Sequence, residues 1–327
     1  MNQEIRKTTS LLSRADKWDH FQARVGYRRM YHRVEPGLYS LGDPTPESPV
    51  FVTANYTLSF DALRTALKDF DSYILVLDTK GVNVWCAAGK GTFGTEELVS
   101  KIESIGLKKI VTHQRLILPQ LGAPGVAAHE VRKRTGFSVE YGPVRAEDLP
   151  DYLKTHQATE EMRRVRLDLK DRAILLPVEI KNNLLWALPL PIVLFIVSGI
   201  WLALIVFTIF VAGVVLFPLL LPILPTKHFA SKGIILGSIA GLLIWMVRFW
   251  VDNWSFGAVA IGYLLAYVLL ISPWVGYISL NFTGASTYTS RTGVRKEIFR
   301  FIPVIAVMFI SGLVLLALTS VAEGMGW

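Results

Sequence analysis

Tyr73-Ile74-Leu75-Val76-Leu77, then Asp78-Thr79-Lys80, then Gly81-Val82-Asn83-Val84-Trp85-Cys86-Ala87-Ala88-Gly89-Lys90-Gly91, is the stretch on which the fold turns. Five consecutive apolar residues, rich in branched and aromatic side chains, read as a strand covered on both faces. Small residues follow from Ala87 to Gly91, and glycine lets a backbone come close to a flat, bulky partner. The single cysteine among 327 residues sits at that point of approach. From the residues alone, Gly81 to Gly94 reads as a strand-end loop. A helix is expected from Thr95 to Ile105, with Thr95 as its cap and Glu96-Glu97 in its first turn.

Outward from this stretch the alternation repeats. Val50 to Ala54 reads as a strand, and Ser59 to Phe70 as a helix with Leu63, Leu67 and Phe70 on one face. Ile110-Val111-Thr112 reads as a third strand and His113 to Gly125 as a loop. A helix is expected to about Arg134, a strand over Phe137 to Tyr141, and a short helix over Ala146 to Lys154. Four such strand–helix units predict a mainly parallel sheet in an α/β Rossmann-like domain over 48–158, with ligands taken at the carboxyl ends of the strands. The loops expected there (Asn55 to Thr57, Gly81 to Gly94, His113 to Gly125, Gly142 to Arg145) are rich in Gly, Ala and Asn and poor in acid–base residues. That composition suits a large cofactor bringing its own chemistry. Residues 1–47 form a basic N-terminal segment in which Arg24, Arg28, Arg29 and Arg33 interleave with Tyr27, Met30 and Tyr31. Folded as a helix, these residues present either an amphipathic surface for anionic lipid or a merely solvated one.

Beyond Arg172 the composition belongs to another solvent. No charge occurs from Asn182 to Thr226, from Asn253 to Ser290 or from Phe301 to Ala322. A helix of roughly 20 residues crosses a hydrocarbon core about 30 Å thick, so the first run is long enough for two crossings, with Ser198-Gly199 as the turn. With two helices there, Lys227, Lys232, Arg291, Arg295, Lys296 and Arg300 fall on one side, as the positive-inside tendency requires. The expected spans are 183–200, 202–224, 233–251, 256–280 and 301–322, an all-α bundle of five transmembrane helices over 183–327. An amphipathic linker helix over 159–182 precedes it, with Met162, Val165 and Leu169 beside Arg163, Arg164 and Arg166. The charged lead Met1 to Lys7 has no apolar core behind it, so no signal peptide is read. The soluble part is expected in the cytoplasm, the chain in the cell (inner) membrane as a multi-pass protein, and the C-terminus outside. Arg248 falls at a span end and no carboxylate inside a span, which disfavours a transporter and suits an anchor or assembly platform. Much of the net charge of +8 flanks the apolar runs, an argument for membrane and against nucleic acid.

Several motifs fail on context. Gly89-x-Gly91-x-x-Gly94 stands a dozen residues beyond the strand end and lacks the acidic residue that reads a ribose; Gly89-Lys90-Gly91 lacks the hydroxyl residue of a phosphate loop. His129-Glu130 has no second histidine four residues after the first, and no histidine stands in an Asp-x-His-x-x-Gly arrangement. A lone cysteine beside Trp85 is either a small buried hydrophobe or, on a ligand-facing loop, a soft metal ligand.

Asn83-Val84-Trp85-Cys86-Ala87-Ala88-Gly89-Lys90-Gly91 closely resembles the signature of the HgcA family, the membrane-bound corrinoid proteins of microbial mercury methylation. The likeness extends through Pro49 to Tyr56, Leu118 to Val126 and Tyr141 to Asp148, and a tail of five spans is also the family pattern. The soluble domain of that family is similar to the corrinoid domain of the corrinoid iron–sulfur proteins of acetyl-CoA chemistry. The resemblance implies a cobalamin-type corrinoid, base-off, with the Cys86 thiolate as lower axial ligand to cobalt. It implies a capping helix over Asn83 to Gly91 in place of the loop read above. The implied activity is a corrinoid-dependent methyltransferase passing a methyl group from cobalt to inorganic Hg(II), as a carbanion equivalent or radical, to give methylmercury. Implied cofactor contacts are Thr53, Asn55, Asn83, Val84, Trp85, Cys86, Ala87, Ala88, Gly89, Lys90, Gln120, Gly122, Ala123, Gly125, Gly142, Pro143 and Val144. Implied partners are a methyltetrahydrofolate-dependent methyl donor and a ferredoxin-like protein of HgcB type with 4Fe-4S clusters, since one cysteine cannot hold a cluster. Two other readings stay open: a corrinoid methyl carrier of one-carbon, acetyl-CoA-type metabolism, and a membrane-anchored protein in which Cys86 binds Hg(II) without corrinoid.

Overall fold

The computed structural model describes residues 5–283 and 291–325; Met1 to Glu4 of the charged lead lie outside the described residues. The chain divides into two compact units, Met1–Arg166 and Leu167–Trp327.

In the first unit, β1 (Arg6–Thr8), β2 (Gly37–Leu41), β3 (Val50–Ala54), β4 (Ser72–Leu77), β5 (Arg115–Leu118) and β6 (Ser138–Tyr141) form one sheet in the order β1-β2-β4-β3-β5-β6. β4, β3, β5 and β6 run parallel, while β2 pairs antiparallel with β4, placing Leu38 opposite Leu75. Side chains alternate across the sheet. Val50, Val52, Ala54, Leu75 and Leu77 face α3 (Val84–Lys90), α4 (Thr95–Ile105) and α5 (Ala128–Thr135). Phe51, Ile74, Val76 and Ile117 face α2 (Thr57–Ala66) and α6 (Leu149–Thr155) through Phe60, Leu63, Leu67 and Tyr152. Both faces are covered, which is why β3 and β4 are continuous apolar runs.

Three local expectations are corrected. The strand beside β3 is Arg115–Leu118 and not Ile110 to Thr112: Leu107–Lys109 makes a 3-10 turn, and Leu116 and Leu118 are wholly buried. Gly94, not Thr95, occupies the cap position of α4; the Thr95 hydroxyl instead accepts from the Ala127 amide at 2.8 Å and ties α4 to the chain entering α5. The basic N-terminal stretch is not a helix over Arg24 to Arg33. α1 spans Arg14–Val25, opened by a reciprocal Ser13–Asp16 capping box and closed at left-handed Gly26, after which Tyr27 to Tyr31 turns. Buried Arg64 holds this segment down, donating to Asp61, to Asp16 and to the carbonyls of Thr9 and Leu11.

After α7 (Glu160–Arg163) the backbone is non-helical to α8 (Leu169–Ala173), so Met162, Val165 and Leu169 do not share one continuous amphipathic helix. Met162 packs on the first unit instead: it lies beside the α2 face, and its carbonyl accepts from Val144 at 2.7 Å.

In the second unit, five stretches among the described residues are long and apolar enough to cross a membrane: Leu169–Ser198, Ile200–Leu220, Phe229–Val251, Ala258–Leu280 and Thr292–Gly324. The expected number stands, and the first break falls at Gly199, whose φ of 81° lies in the left-handed region. The first and last helices start earlier than the apolar runs. α9 (Phe229–Val251) and α10 (Ala258–Leu280) approach through Gly233, Gly237 and Gly241; a Cβ on Gly237 would lie 2.5 Å from the Ser272 Cα. Small residues four apart bring backbones together where lipid removes any hydrophobic drive. Arg248 donates to the Tyr267 hydroxyl at 2.5 Å and to Asp252 at 3.0 Å, under the rings of Trp254 and Tyr263.

Candidate cofactor site

The chain leaves β3 for β4 on one side and reaches β5 on the other, so the winding of the sheet reverses between β3 and β5. Such a reversal opens a crevice at the carboxyl ends of the strands, and a cavity of 340 Å³ lies there. Its walls are Phe51 to Thr53 of β3, Ile117 to Pro119 at the end of β5, Pro143 and Val144 after β6, and Asn83, Val84 and Trp85 entering α3. Tyr56, Ser59 and Leu63 close it from α2. The lining is mostly apolar, with Thr53, Tyr56, Ser59 and Asn83 as its polar side chains. Burial pushes the Tyr56 phenol pKa up, and nearby Arg29 and Arg24 pull it back in part.

α3 is short because its ends are sharply marked. Asn83 is extended and its Oδ1 accepts the Cys86 amide at 2.9 Å; Gly91 closes the helix at φ 82°. The helix buries Val84, Ala87 and Ala88 and exposes Trp85, Cys86, Gly89 and Lys90. Gly89 stands one turn after Cys86, and a Cβ built on it meets nothing within 4 Å. Open space therefore borders the helix backbone one turn from the cysteine. Beneath the helix the opposite holds. A Cβ on Gly125 would stand 2.1 Å from the Phe93 carbonyl oxygen and 3.0 Å from the Ala88 Cα, and one on Gly122 would meet the Phe93 ring at 2.5 Å. The turn Gln120 to Gly125 is backbone-thin so that α3 can sit down on it.

The turn into α3 is held by Asn55, 1% exposed at the end of β3. Its Oδ1 accepts from the amides of Thr79 and Gly81, each at 3.0 Å, and from the Thr79 hydroxyl at 2.9 Å; its Nδ2 donates to Asp78 at 3.1 Å. Gly81 needs its φ of 74°, and a Cβ there would lie 2.9 Å from the Met30 carbonyl oxygen.

The residues singled out from sequence thus fall into three groups. Thr53, Asn83, Val84, Trp85, Pro143 and Val144 line the cavity, and Cys86, Gly89 and Lys90 lie on the outer face of α3. The others sit behind. Ala87 and Ala88 are buried; Gly122, Ala123 and Gly125 form the turn beneath; the Gln120 carboxamide accepts from Arg163 at 3.2 Å; and the Gly142 amide donates to the Leu118 carbonyl at 2.8 Å. Asn55 acts on the turn through all the bonds given above. Sequence reasoning misses Ser59, Leu63, Ile117 and Leu149 as cavity walls. The signal available was the small Ser59 and Ala62 on the α2 face that carries Leu63.

Residues 28–153 match the family model described as CO dehydrogenase/acetyl-CoA synthase delta subunit. The gamma subunit of the acetyl-CoA decarbonylase/synthase complex of Methanopyrus kandleri is 36% identical over 123 residues, 37% of this chain and 26% of that subunit. The corresponding subunit of Archaeoglobus fulgidus is 30% identical over 131 residues, 39% of this chain and 27% of that one. The corrinoid/iron-sulfur protein large subunit of Moorella thermoacetica is 26% identical over 168 residues, 49% of this chain and 37% of its own length. The chain therefore spans between a quarter and two fifths of the length of these curated relatives. The first unit contains a domain like those of corrinoid proteins, and the family match ends before the helical unit begins.

Proposed function

We propose that this chain is a corrinoid-dependent methyl-transfer protein in which the Cys86 sulfur would hold the cobalt of a bound corrinoid and inorganic Hg(II) would accept the methyl group. The observation that carries the reading is the exposed Cys86 in the first turn of α3, one turn from Cβ-free Gly89 and beside an apolar cavity. These residues fit the group. A single soft sulfur suits a transition metal, a bare stretch of helix surface suits a flat macrocycle, and the cavity suits a tail whose base no longer binds the metal. A bound corrinoid would supply the methyl–cobalt bond from which the methyl group leaves. The protein's own part is positional. Asn83 pairs the Cys86 amide and fixes the turn carrying the sulfur, Asn55 fixes the turn before it, and Gly122 and Gly125 let the helix seat fully. Thr53, Tyr56 and Ser59 offer hydrogen bonds from the cavity wall, and Lys90 offers a charge at the end of α3.

Hg(II) as acceptor is supported by the likeness of Asn83 to Gly91 to the HgcA signature. A second reading, a corrinoid methyl carrier of one-carbon metabolism, is favoured by the matches to acetyl-CoA synthase and corrinoid/iron-sulfur subunits. In either case the proposed source of reducing equivalents is a separate iron–sulfur protein, because the one cysteine of this sequence cannot hold a cluster. The proposed methyl source depends on methyltetrahydrofolate. The five helices would anchor the chain in the cell membrane with the first unit cytoplasmic.

The test uses the full chain. Cobalt per chain and the absorption spectrum are measured for the natural protein and for Cys86→Ala and Cys86→His. The natural protein should carry cobalt with a thiolate-type band that the alanine variant loses and the histidine variant shifts. An unchanged spectrum in Cys86→Ala refutes the ligand role. Transfer to a metabolic acceptor with none to Hg(II) would move the function to the second reading, and a natural protein without cobalt that binds Hg(II) would remove both.

A further inference from the structure

α1 has two faces of different chemistry. Its acidic residues turn inward: Asp16 reaches Arg64 and Asp19 reaches His32, at 2.9 and 2.7 Å. Its outward face carries Arg14, Lys17, Trp18, Phe21 and Arg24, all exposed, at the three- and four-residue spacing of one helical stripe. Trp18 and Phe21 are 61% and 56% exposed and stack on one another at 5.4 Å between ring centroids. Among the described residues the side chains of Arg14, Lys17 and Arg24 make no hydrogen bond or ion pair, and Arg24 has the Tyr56 phenol nearby. A soluble unit gains nothing from leaving an indole and a phenyl ring in water between unpaired cations, so the stripe fits a partner that is anionic at its surface and apolar beneath.

We infer that the outward stripe of α1 docks on the anionic phospholipid headgroups of the membrane that carries the chain's own helices, with Trp18 and Phe21 entering the interfacial layer and Lys17 and Arg24 on the phosphates. Two facts select lipid over an acidic protein. The rings and cations alternate along one helix face, the pattern that lies at a headgroup boundary. Five stretches among the described residues are also apolar enough to span a bilayer; once inserted they would hold the first unit at high effective concentration near lipid, so that a modest patch is enough. The inference is independent of the cofactor reading, because nothing in it needs cobalt.

The test uses the full chain in nanodiscs. Cys86→Ala removes the only cysteine, and Ala15→Cys, at the edge of the stripe, takes an environment-sensitive fluorophore. Discs of phosphatidylcholine are compared with discs containing phosphatidylglycerol, each with a spin-labelled lipid as quencher. Quenching and a blue shift are expected in the anionic discs. Both should fall to the phosphatidylcholine level in Lys17→Glu with Arg24→Glu and in Trp18→Ser with Phe21→Ser. Each cation strengthens contact with an anionic leaflet about fivefold, so losing two weakens it about 25-fold, and reversing both weakens it further. These side chains are exposed, so unchanged circular dichroism will show the variants folded. Equal quenching in the two kinds of disc, quenching that survives both double variants, or quenching that appears only when an acidic protein is added each overturns the inference.

Discussion

Asn55→Ala should loosen the turn that delivers Cys86 and leave the sheet intact. The substitution removes the acceptor of the Thr79 and Gly81 amides, in a place where Thr79 is 0% exposed and Gly81 is buried. The Thr79 hydroxyl keeps a second partner, the Val82 carbonyl at 2.6 Å, so it is not orphaned. Two donors therefore lose their partner, at about 1–3 kcal/mol each, or about 2–6 kcal/mol together. That is a large part of the 5–15 kcal/mol holding a typical domain. The cost falls on Asp78 to Gly81, so this turn and α3 should open before β3 and β4 do. Even 2 kcal/mol is about a 30-fold rise in the open population. Hydrogen exchange on the full chain in detergent should show the amides of residues 79–90 exchanging about 30-fold faster or more, with β3 and α4 within about threefold of the natural protein. Asn55→Asp keeps an acceptor but sets a second carboxylate against Asp78, and should be rescued in part as the pH falls. If exchange across 79–90 stays within about threefold in the alanine variant, these hydrogen bonds do not hold the turn and the positioning argument for Cys86 fails.

Other outcomes follow from the same kind of accounting. Arg64→Met leaves the Asp61 carboxylate, 3% exposed, with His20 at 2.6 Å as its remaining side-chain partner, so the loss is smaller than the ~3–5 kcal/mol of a buried charge left wholly unpaired. Exchange should rise first across β1 and α1, and intact protection there would refute the anchoring role. Burial raises the Asp16 pKa, but the Ser13 amide, Arg64 and the Ser13 hydroxyl outweigh it and hold the carboxyl below its ordinary value. A carboxylate depressed in the folded state stabilises above its unfolded pKa and loses that contribution as the pH falls through the folded one. Pepsin should therefore cut within the N-terminal segment increasingly below about pH 4, and Asp16→Asn should flatten that dependence. Gly237→Leu sets a side chain where a Cβ is already 2.5 Å from the Ser272 Cα. α9 and α10 must then separate, read as a lower thermal midpoint in detergent, whereas Gly89→Ala, which meets nothing within 4 Å, should leave the midpoint unchanged.

What the sequence made legible, and what it hid, divides by the range of the interaction. β3 and β4 are visible because burial on both faces writes a continuous apolar run, and the five spans are visible because lipid excludes charge for a whole helix length. β5 is not, because Ile110-Val111-Thr112 and Leu116-Ile117-Leu118 are locally equivalent; only the pairing of Leu116 with Val50, 66 positions apart, chooses between them. β2 hides in a basic segment for the same reason, its partner Leu75 being remote from Leu38. α3 falls short by length: seven residues carry too little periodicity to declare a helix, although Asn83 at the cap and Gly91 at the end were in plain view. The candidate site shows the consequence. Its floor, at the carboxyl ends of β3 and β5, follows from strand order, while its α2 wall depends on which way a helix faces. Asn55 is the sharpest case. A polar residue at a strand end reads as a ligand contact, yet its carboxamide satisfies a turn whose own sequence, Asp78-Thr79-Lys80-Gly81, gives no sign of needing a remote acceptor. Such a residue holds the turn before α3 without lining the cavity, so the positions that set where Cys86 lies need not be the ones that a ligand would touch.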